Sequence, residues 1–140
     1  MSDLVLIDTN AWITYFDPGF RGMPDVADEV ERLIVEGKAS YTEIIYMEIF
    51  VGIKNDGDVR KFQSAFTGLP ICSLVNGTIW ANAHLKAHGL WKSNIKLNLV
   101  DIIIACVAMH YDIPVFHHDS EFVKMAKVLD LKQYTLLKAK

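Results

Sequence analysis

Four acidic residues stand beside or inside apolar segments of the chain, where a carboxylate is costly to place. They are Asp8, Glu48, Asp101 and Asp119. A carboxylate among aliphatic side chains loses hydration, and the loss is tolerable only when another group compensates. If the four converge, their mutual repulsion also calls for a cation. Sites made only of oxygen ligands select hard ions, so these residue types predict a site for Mg²⁺ or Mn²⁺.

The chemistry expected of such a site is hydrolysis of phosphodiester bonds. A carboxylate-held Mg²⁺ keeps some of its waters and takes further ligands from the phosphate oxygens of a substrate. One ion or two can then activate a water for in-line attack and stabilise the oxygen that leaves.

A simpler structural role competes with metal binding at three of the four positions. Asp8, Asp101 and Asp119 could each cap a helix or lie in its first turn, where an aspartate is favoured. Glu48 is predicted in the middle of a helix, and its neighbours three and four positions away are apolar or glycine. Its remaining structural explanation is an ion pair with a distant Lys or Arg. Glu48 is therefore the strongest indicator of a metal site, and Glu121, close to Asp119, is a candidate additional ligand.

Length and composition predict one globular domain spanning residues 1–140. The chain is 51% hydrophobic and 22% charged, and no apolar run approaches the roughly 20 residues that span a bilayer. Without a basic segment at its start, the chain is expected to be cytoplasmic. Cys72 and Cys106 are interpreted as small buried hydrophobes. The formal charge of −3 argues against binding of polyanions by the whole surface, although bound metal would neutralise several carboxylates.

Strands and helices alternate along the chain, which predicts an α/β fold with a central parallel sheet covered on both faces. Strands are predicted near residues 4–7, 39–41, 70–74, 114–117 and 133–137. Helices are predicted near residues 9–15, 24–36, 43–54, 58–66, 77–88, 99–110 and 120–129, with Thr42, Asn76 and Asn98 as N-caps. Ligands of such folds bind beyond the carboxyl ends of the strands. Asp8 and Asp119 each follow a strand, and Glu48 and Asp101 lie on helices that begin at that edge.

The histidines predict less than their spacing suggests. His84 and His88 are four residues apart on a predicted helix, a spacing that can bind Zn²⁺. No third strong ligand accompanies them in a recognisable motif, so they are interpreted as an exposed or half-buried pair. His117 and His118 precede Asp119; one could donate to a phosphate, and at least one is expected to be structural.

Four short segments occur in the order and spacing of a known family. They are Leu6-Ile7-Asp8-Thr9-Asn10, Glu48-Ile49-Phe50-Val51-Gly52, Val100-Asp101-Ile102-Ile103-Ile104-Ala105 and His118-Asp119-Ser120-Glu121-Phe122. Through them the chain resembles the PIN-domain nucleases along nearly its whole length. Within that family it is similar to the VapC-type toxins of bacterial and archaeal toxin–antitoxin pairs.

The resemblance implies a three-layer α/β/α sandwich and an endoribonuclease that depends on Mg²⁺ or Mn²⁺. It places four residues in a metal-binding catalytic site: Asp8, Glu48, Asp101 and Asp119. Thr9 and Asn10 match positions that support this site. A homodimer is also implied, as is a cognate antitoxin whose tail covers the active-site groove. Glu121 stands where many relatives have a second aspartate, so the chain departs from the family pattern there.

An RNA substrate would have to be held by local features, because the chain as a whole is acidic. Trp91 lies shortly before Asp101 among basic residues, which are Lys86, Lys92 and Lys96. Trp12 follows Asp8. Cations can hold phosphates while an aromatic side chain stacks on an unpaired base. Trp12, Lys92 and Lys96 are therefore candidate RNA contacts, while Trp91 could instead pack in the core or in a dimer interface.

Two other functions fit parts of the same pattern. An inactive interaction module would keep the fold and bind a protein partner without binding metal; the intact set of four acids argues against it. An aspartate-based phosphatase or a receiver domain also places Asp after a strand. The phosphatase needs a second acid two residues after its nucleophile, and Asn10 holds that position after Asp8.

Residues 16–23, with Phe20 and Met23, could meet a partner.

Overall fold

The computed structural model of the protein describes residues 3–17 and 23–134. Strands β1 to β4 span Val5–Ile7, Ala39–Ser40, Val115–Phe116 and Gln133–Tyr134. Helices α1 to α7 span Thr9–Phe16, Pro24–Val35, Glu43–Val51, Asp56–Phe66, Gly77–Lys92, Leu99–Tyr111 and Ser120–Ala126. No helix in the described ranges is long and apolar enough to cross a membrane.

The strands form one parallel sheet in the order β2-β1-β3-β4. All three residues of β1 are buried, although successive side chains point to opposite faces of the sheet. Both faces at the centre of the sheet are therefore covered, as expected for parallel strands joined through helices. The predicted three-layer α/β/α sandwich is confirmed.

Two of the three predicted N-caps, Asn76 and Asn98, are confirmed. The side chain of Asn76 accepts a hydrogen bond from the Thr78 amide at 2.9 Å, and Asn98 accepts one from the Val100 amide at 2.7 Å. Thr42 occupies the N-cap position of α3 but makes no capping hydrogen bond, because its hydroxyl donates to the Glu43 carboxylate instead.

Helix ends differ from the prediction where a turn or a buried side chain overrides the local pattern. Helix α3 ends at Val51, since the amides of Gly52 and Ile53 bond back to carbonyls of its last turn. Helix α5 runs through Gly89 to Lys92 and thereby buries Leu90 completely. Helix α7 ends at Ala126, short of the predicted residue 129.

The predicted strand at residues 70–74 is reduced to a single bridge, whereas the strand predicted at residues 133–137 is present where the structure describes it. Ile71 makes only an isolated parallel bridge to Tyr41 at the edge of the sheet. The hydrogen bonds that hold this segment come mainly from side chains, described below. Strand β4 covers Gln133–Tyr134, and the rest of the predicted strand lies outside the described residues.

Trp12 is a core residue, so its prediction as an RNA contact is wrong. Its side chain is 1% exposed and lies 4.8 Å from the Phe66 ring and 6.1 Å from the Phe16 ring, centroid to centroid. Aromatic contacts of this kind dominate core energetics and leave no ring face for a nucleic-acid base. The sequence placed Trp12 near Asp8, but α1 turns the indole inwards against α4.

Glu43 fastens the first turn of α3 to the segment that follows α4. Its carboxylate accepts hydrogen bonds from the Ser73 hydroxyl at 2.6 Å and the Leu74 amide at 2.7 Å. Burial raises the pKa of Glu43, but these hydrogen bonds outweigh it and lower the pKa below its ordinary value. Glu43 is therefore a structural residue that links α3 to this segment.

Glu43→Ala is expected to lower the free energy of unfolding by about 1–3 kcal/mol, because it strands a buried amide and a hydroxyl. Urea denaturation measures the change. Glu43→Gln keeps an oxygen that can accept from Leu74 and should recover part of the loss. Equal stability of Glu43→Ala and the unchanged protein would contradict this structural role.

Candidate active site

Asp8 lies at the carboxyl end of β1, at the N-cap position of α1. The amides of Thr9 and Asn10 act on its carboxylate, but the side chain makes no capping hydrogen bond of normal geometry, so capping alone does not account for it. Asp8 is only 2% exposed. Burial, and secondly repulsion by Asp101, raise its pKa to about 7, although the backbone amides of Thr9 and Asn10 act in the opposite direction. A buried aspartate that resists ionisation is a typical part of a charge cluster at a functional site.

Asp101 lies in the first turn of α6, next to the cap that Asn98 already provides. Burial raises its pKa to about 6, and repulsion by Asp119, Glu48 and Glu121 adds to the effect. The helix is buried on most of its circumference, from Ile102 onwards. Asp101 therefore belongs to the same cluster of negative charge as Asp8, which it reaches from the start of α6.

Glu48 reaches this cluster, but not from the buried position that the sequence predicted. The residue lies on the exposed side of α3, so the expectation that its apolar neighbours bury it is wrong. Those neighbours are themselves exposed in part, since Val51 is 84% exposed. The Thr9 hydroxyl donates a hydrogen bond of 2.6 Å to Oε1 of Glu48. Thr9 thus ties the glutamate to the start of α1, beside Asp8.

Asp119 caps α7, and the same residue contributes to the field around Asp101. Its Oδ1 accepts the Glu121 amide at 2.9 Å, which is the structural role that the sequence left open. A capping contact uses one oxygen and leaves the other available for a cation or a water. Glu121 also repels Asp101, but its carboxylate lies 3.7 Å from Nζ of Lys124, which partly neutralises it.

Both histidines before Asp119 have structural contacts. Nδ1 of His117 accepts the Asp119 amide at 3.1 Å, so Nε2 carries the proton and donates to Gln133 at 2.9 Å. Burial lowers the pKa of His117. The hydroxyl of Thr14 donates to the Asn10 carbonyl, so the 3.4 Å contact with His118 needs its Nε2 as the donor. The expected phosphate donor is therefore engaged in holding α1.

The arrangement fits a hard divalent cation by the chemistry of its donors. Four carboxylates from four elements share one edge of the sheet, and the innermost is buried and repelled by its neighbours. Within residues 3–17 and 23–134, no group of three or more Asp, Glu, His or Cys side chains is arranged so that it could hold a metal ion as it stands. Burial and, secondly, repulsion raise the pKa values of Asp8 and Asp101, and a bound cation would offset both effects and favour the ionised forms.

A groove that sequence reasoning missed opens beside Glu48. It has a volume of about 520 Å³ and runs between the end of α1, α3 and α4. Its lining is mainly apolar, with Phe16 and Phe62 in edge contact, and Lys54 and Lys61 are the basic residues along it. No periodic signal marks the groove, because its walls come from three separate elements.

The remaining candidate residues lie on the surface. Lys92 and Lys96 are exposed, and Nζ of Lys96 lies 4.4 Å from the centroid of the Trp91 ring. Trp91 is 59% exposed, so the core alternative for it is wrong. His84 and His88 are both exposed, which agrees with their interpretation as an exposed or half-buried pair. Of the predicted partner segment, residues 18–22, including Phe20, lie outside the described residues.

Comparison with known proteins places this geometry in a family. The family model described as the PIN domain matches residues 5–128. VapC ribonuclease Mb1587 of Mycobacterium bovis is 28% identical over 135 residues, covering 92% of this chain and 96% of its own length. Ribonuclease VapC11 of Mycobacterium tuberculosis matches with the same identity and coverage.

Solved structures show the same fold. VapBC2 from Rickettsia felis, bound to a DNA fragment from its promoter, has a TM-score of 0.74 at 13% identity, covering 94% of this chain and 97% of its own. VapBC-1 from nontypeable Haemophilus influenzae has a TM-score of 0.73 at 20% identity, covering 96% and 99%. With the family model matching most of the chain and the acidic cluster at the expected edge of the sheet, the chain belongs to the PIN domain family.

Proposed function

We propose that the chain is an endoribonuclease that depends on Mg²⁺ or Mn²⁺ and hydrolyses RNA phosphodiester bonds. The observation that carries the proposal is the buried Asp8, with its pKa raised to about 7, in the same negative field as Asp101 and Glu48. The chain belongs to the PIN domain family, and its 28% identical relatives are named ribonucleases. Both findings support RNA as the substrate class.

The ligands proposed for the metal are Asp8, Glu48, Asp101 and Asp119. When bound, a divalent ion of this kind activates a water and stabilises the leaving oxygen of the phosphodiester. The chain's own contribution is to hold these carboxylates at the end of β1, within α3 and at the starts of α6 and α7. Thr9 fixes the rotamer of Glu48, and the backbone amides at the start of α1 favour the ionised form of Asp8.

In the cell, the chain is proposed to act as the toxin of a toxin–antitoxin pair in the cytoplasm. The names of similar proteins support this role, since VapBC structures share its fold. A cognate antitoxin that covers the active-site groove would inhibit it. A homodimer is also proposed, and the outward side of α3, where Met47 is 61% and Val51 84% exposed, offers apolar surface for an interface.

The direct test is incubation of the purified protein with total cellular RNA in Mg²⁺, in Mn²⁺ and in EDTA. Internal cleavage products are expected with either ion and none in EDTA. Isothermal titration calorimetry should detect binding of Mn²⁺ to the protein alone. Absence of both cleavage and metal binding would support an inactive interaction module instead, and phosphate bound covalently to Asp8 would support a phosphatase.

Thr9→Val is expected to reduce RNA cleavage about tenfold, on the scale of other residues that orient metal ligands. Valine keeps the shape of the buried side chain but removes the hydroxyl that donates to Glu48. Because Thr9 is proposed to position a ligand, the concentration of Mg²⁺ giving half-maximal rate should rise. Thr9→Ser retains the hydroxyl and should restore the metal dependence. An unchanged Mg²⁺ dependence in Thr9→Val would show that the contact has no positioning role.

A further inference from the structure

One long stretch of this acidic protein carries basic residues but no acidic ones. Residues 59–100 contain no aspartate or glutamate, in a chain whose formal charge is −3. The basic residues of the stretch are Arg60, Lys61, Lys86, Lys92 and Lys96. In the described part of the chain, ion pairs engage basic residues elsewhere, at Arg32, Lys38, Lys124 and Lys132. None of these ion pairs engages the basic residues of α5 or of the loop after it, which are Lys86, Lys92 and Lys96.

The end of α5 carries an exposed aromatic side chain inside this basic stretch. Trp91 is 59% exposed, and Lys96 places its Nζ 4.4 Å from the ring centroid. The loop is shaped to do so, because Asn94 adopts a left-handed conformation at φ 67° and the Ile95 amide bonds to the Leu90 carbonyl at 2.8 Å. This helix-ending turn brings the chain back over the last turn of α5.

This end of α5 lies beside the start of α6, where Asp101 is found. Helices α5 and α6 pack together, joined by a short loop at residues 93–98. The start of α5 also meets the end of α6. Nδ2 of Asn76 lies 3.2 Å from Nε2 of His110, and the Tyr111 hydroxyl donates to the Ser73 carbonyl. The two helices are therefore antiparallel, which puts Trp91 near the acidic site and Trp80 roughly 16 Å further along α5.

We propose that Trp91, Lys92 and Lys96 form a stacking platform for an unpaired nucleotide of the RNA substrate, next to the acidic site. The proposal rests on the proposed function and names how that site retains its substrate. Four carboxylates repel RNA phosphates, so the cations that hold the strand have to come from outside the acidic cluster. An indole face stacks on any base, while the two lysines neutralise flanking phosphates.

Charge favours RNA over a second copy of the chain at this surface. In a twofold interface centred on this surface the same patch meets itself, so Lys92 and Lys96 would come close to the same lysines of the second copy. A single-stranded polyanion with exposed bases matches both features of the platform. Binding of a protein partner to Trp91 is the alternative that the experiment decides.

The experiment measures binding separately from cleavage. Fluorescence anisotropy follows a fluorescein-labelled, mixed-sequence single-stranded RNA with the full chain in EDTA, at several salt concentrations. Trp91→Ala is expected to weaken binding on the order of tenfold, and Trp91→Phe should retain part of the affinity. Trp80→Ala is the matched control, since it removes a tryptophan that is 50% exposed from the far end of the same helix, and it should bind as the unchanged protein does.

The lysines are tested through the salt dependence of binding. Lys92→Gln/Lys96→Gln should weaken binding and reduce the slope of affinity against salt concentration. Lys38→Gln/Lys127→Gln removes the same charge elsewhere and should leave that slope unchanged. Equal affinity of Trp91→Ala and the unchanged protein, or no RNA binding by either, would overturn the platform. A change of oligomeric state in Trp91→Ala with RNA affinity unchanged would overturn it in favour of a protein contact.

Failure of the proposed function gives a different result. If the unchanged protein binds RNA through Trp91 but cleaves none in Mg²⁺ or Mn²⁺, the platform stands and the nuclease assignment falls. If it cleaves RNA and Trp91→Ala neither binds nor cleaves less well, the nuclease assignment stands and the platform falls.

Discussion

Asp101→Asn is expected to reduce RNA cleavage in Mg²⁺ by about 100- to 1000-fold, because a bound metal supplies several kcal/mol of transition-state stabilisation. The substitution removes one charge from the cluster and keeps the size of the side chain. Asn98, which caps α6, is unchanged, so the helix should form normally. Cleavage is followed with an RNA pool that the unchanged protein cuts, and circular dichroism checks the fold.

The same helix provides the control. Asp112 follows α6 at its other end, in a left-handed conformation at φ 54° that asparagine also tolerates. Asp112→Asn makes the same chemical change, loses an exposed ion pair with Lys132, and should cleave RNA at the unchanged rate. Full activity in Asp101→Asn, or equal losses in both variants, would remove Asp101 from the catalytic set.

The fold was predictable because several local signals agreed. Asn76 and Asn98 are followed by helical sequence, and both side chains make the capping bonds that their positions predict. The apolar run before Asp8 is buried on both faces, as a central parallel strand has to be. Asp8 and Asp119 then fall at one edge of the sheet because parallel strands end on the same side. That rule, applied to the sequence, was sufficient to bring distant residues together.

Glu48 shows why the details of the site were less predictable. Helix α3 is apolar on almost every side, so its periodicity does not distinguish an inner from an outer face. Apolar neighbours predict burial of Glu48, but Met47 and Val51 point outwards. What brings Glu48 to the cluster is the hydrogen bond from Thr9. Such a contact between distant residues depends on how two helices pack, which a single sequence does not reveal.

The burial of Trp12 and the exposure of Trp91 were not predictable from the sequence, for the same reason. Trp12 was a candidate for the surface and lies in the core against Phe66, whereas Trp91 was a candidate for the core and is exposed. The choice depends on the rotation of each helix about its axis relative to its neighbours. A difference of one residue in helical phase is enough to change which side chain faces the sheet.

Asp8→Asn is expected to stabilise the metal-free protein above neutral pH while abolishing its cleavage of RNA. Burial and repulsion raise the pKa of Asp8 in the folded state to about 7, from an ordinary value of 3.8. The folded protein therefore holds this proton more tightly than the unfolded chain does. As pH rises from the unfolded value through about 7, ionisation becomes progressively unfavourable for the fold, so stability falls. Each unit of pKa difference corresponds to about 1.4 kcal/mol.

Thermal unfolding in EDTA between about pH 5 and about pH 8 should therefore show a falling Tm for the unchanged protein. Asp101, whose pKa is raised to about 6, contributes in the same direction at the lower end of this range. In Asp8→Asn the fall should be smaller, because the asparagine does not ionise. Asp28→Asn, on the exposed side of α2, is the control and should follow the unchanged protein.

Addition of Mn²⁺ should reverse the order of stability. A cation that binds only the folded state raises Tm by mass action, and it favours the ionised form of Asp8 that burial disfavours. The unchanged protein should gain stability with Mn²⁺ at about pH 8, whereas Asp8→Asn, lacking a ligand charge, should gain much less. The prediction would be contradicted if Tm in EDTA did not depend on pH and Asp8→Asn were less stable than the unchanged protein. Asp8 would then stabilise the fold, and its burial would not be a cost that metal binding offsets.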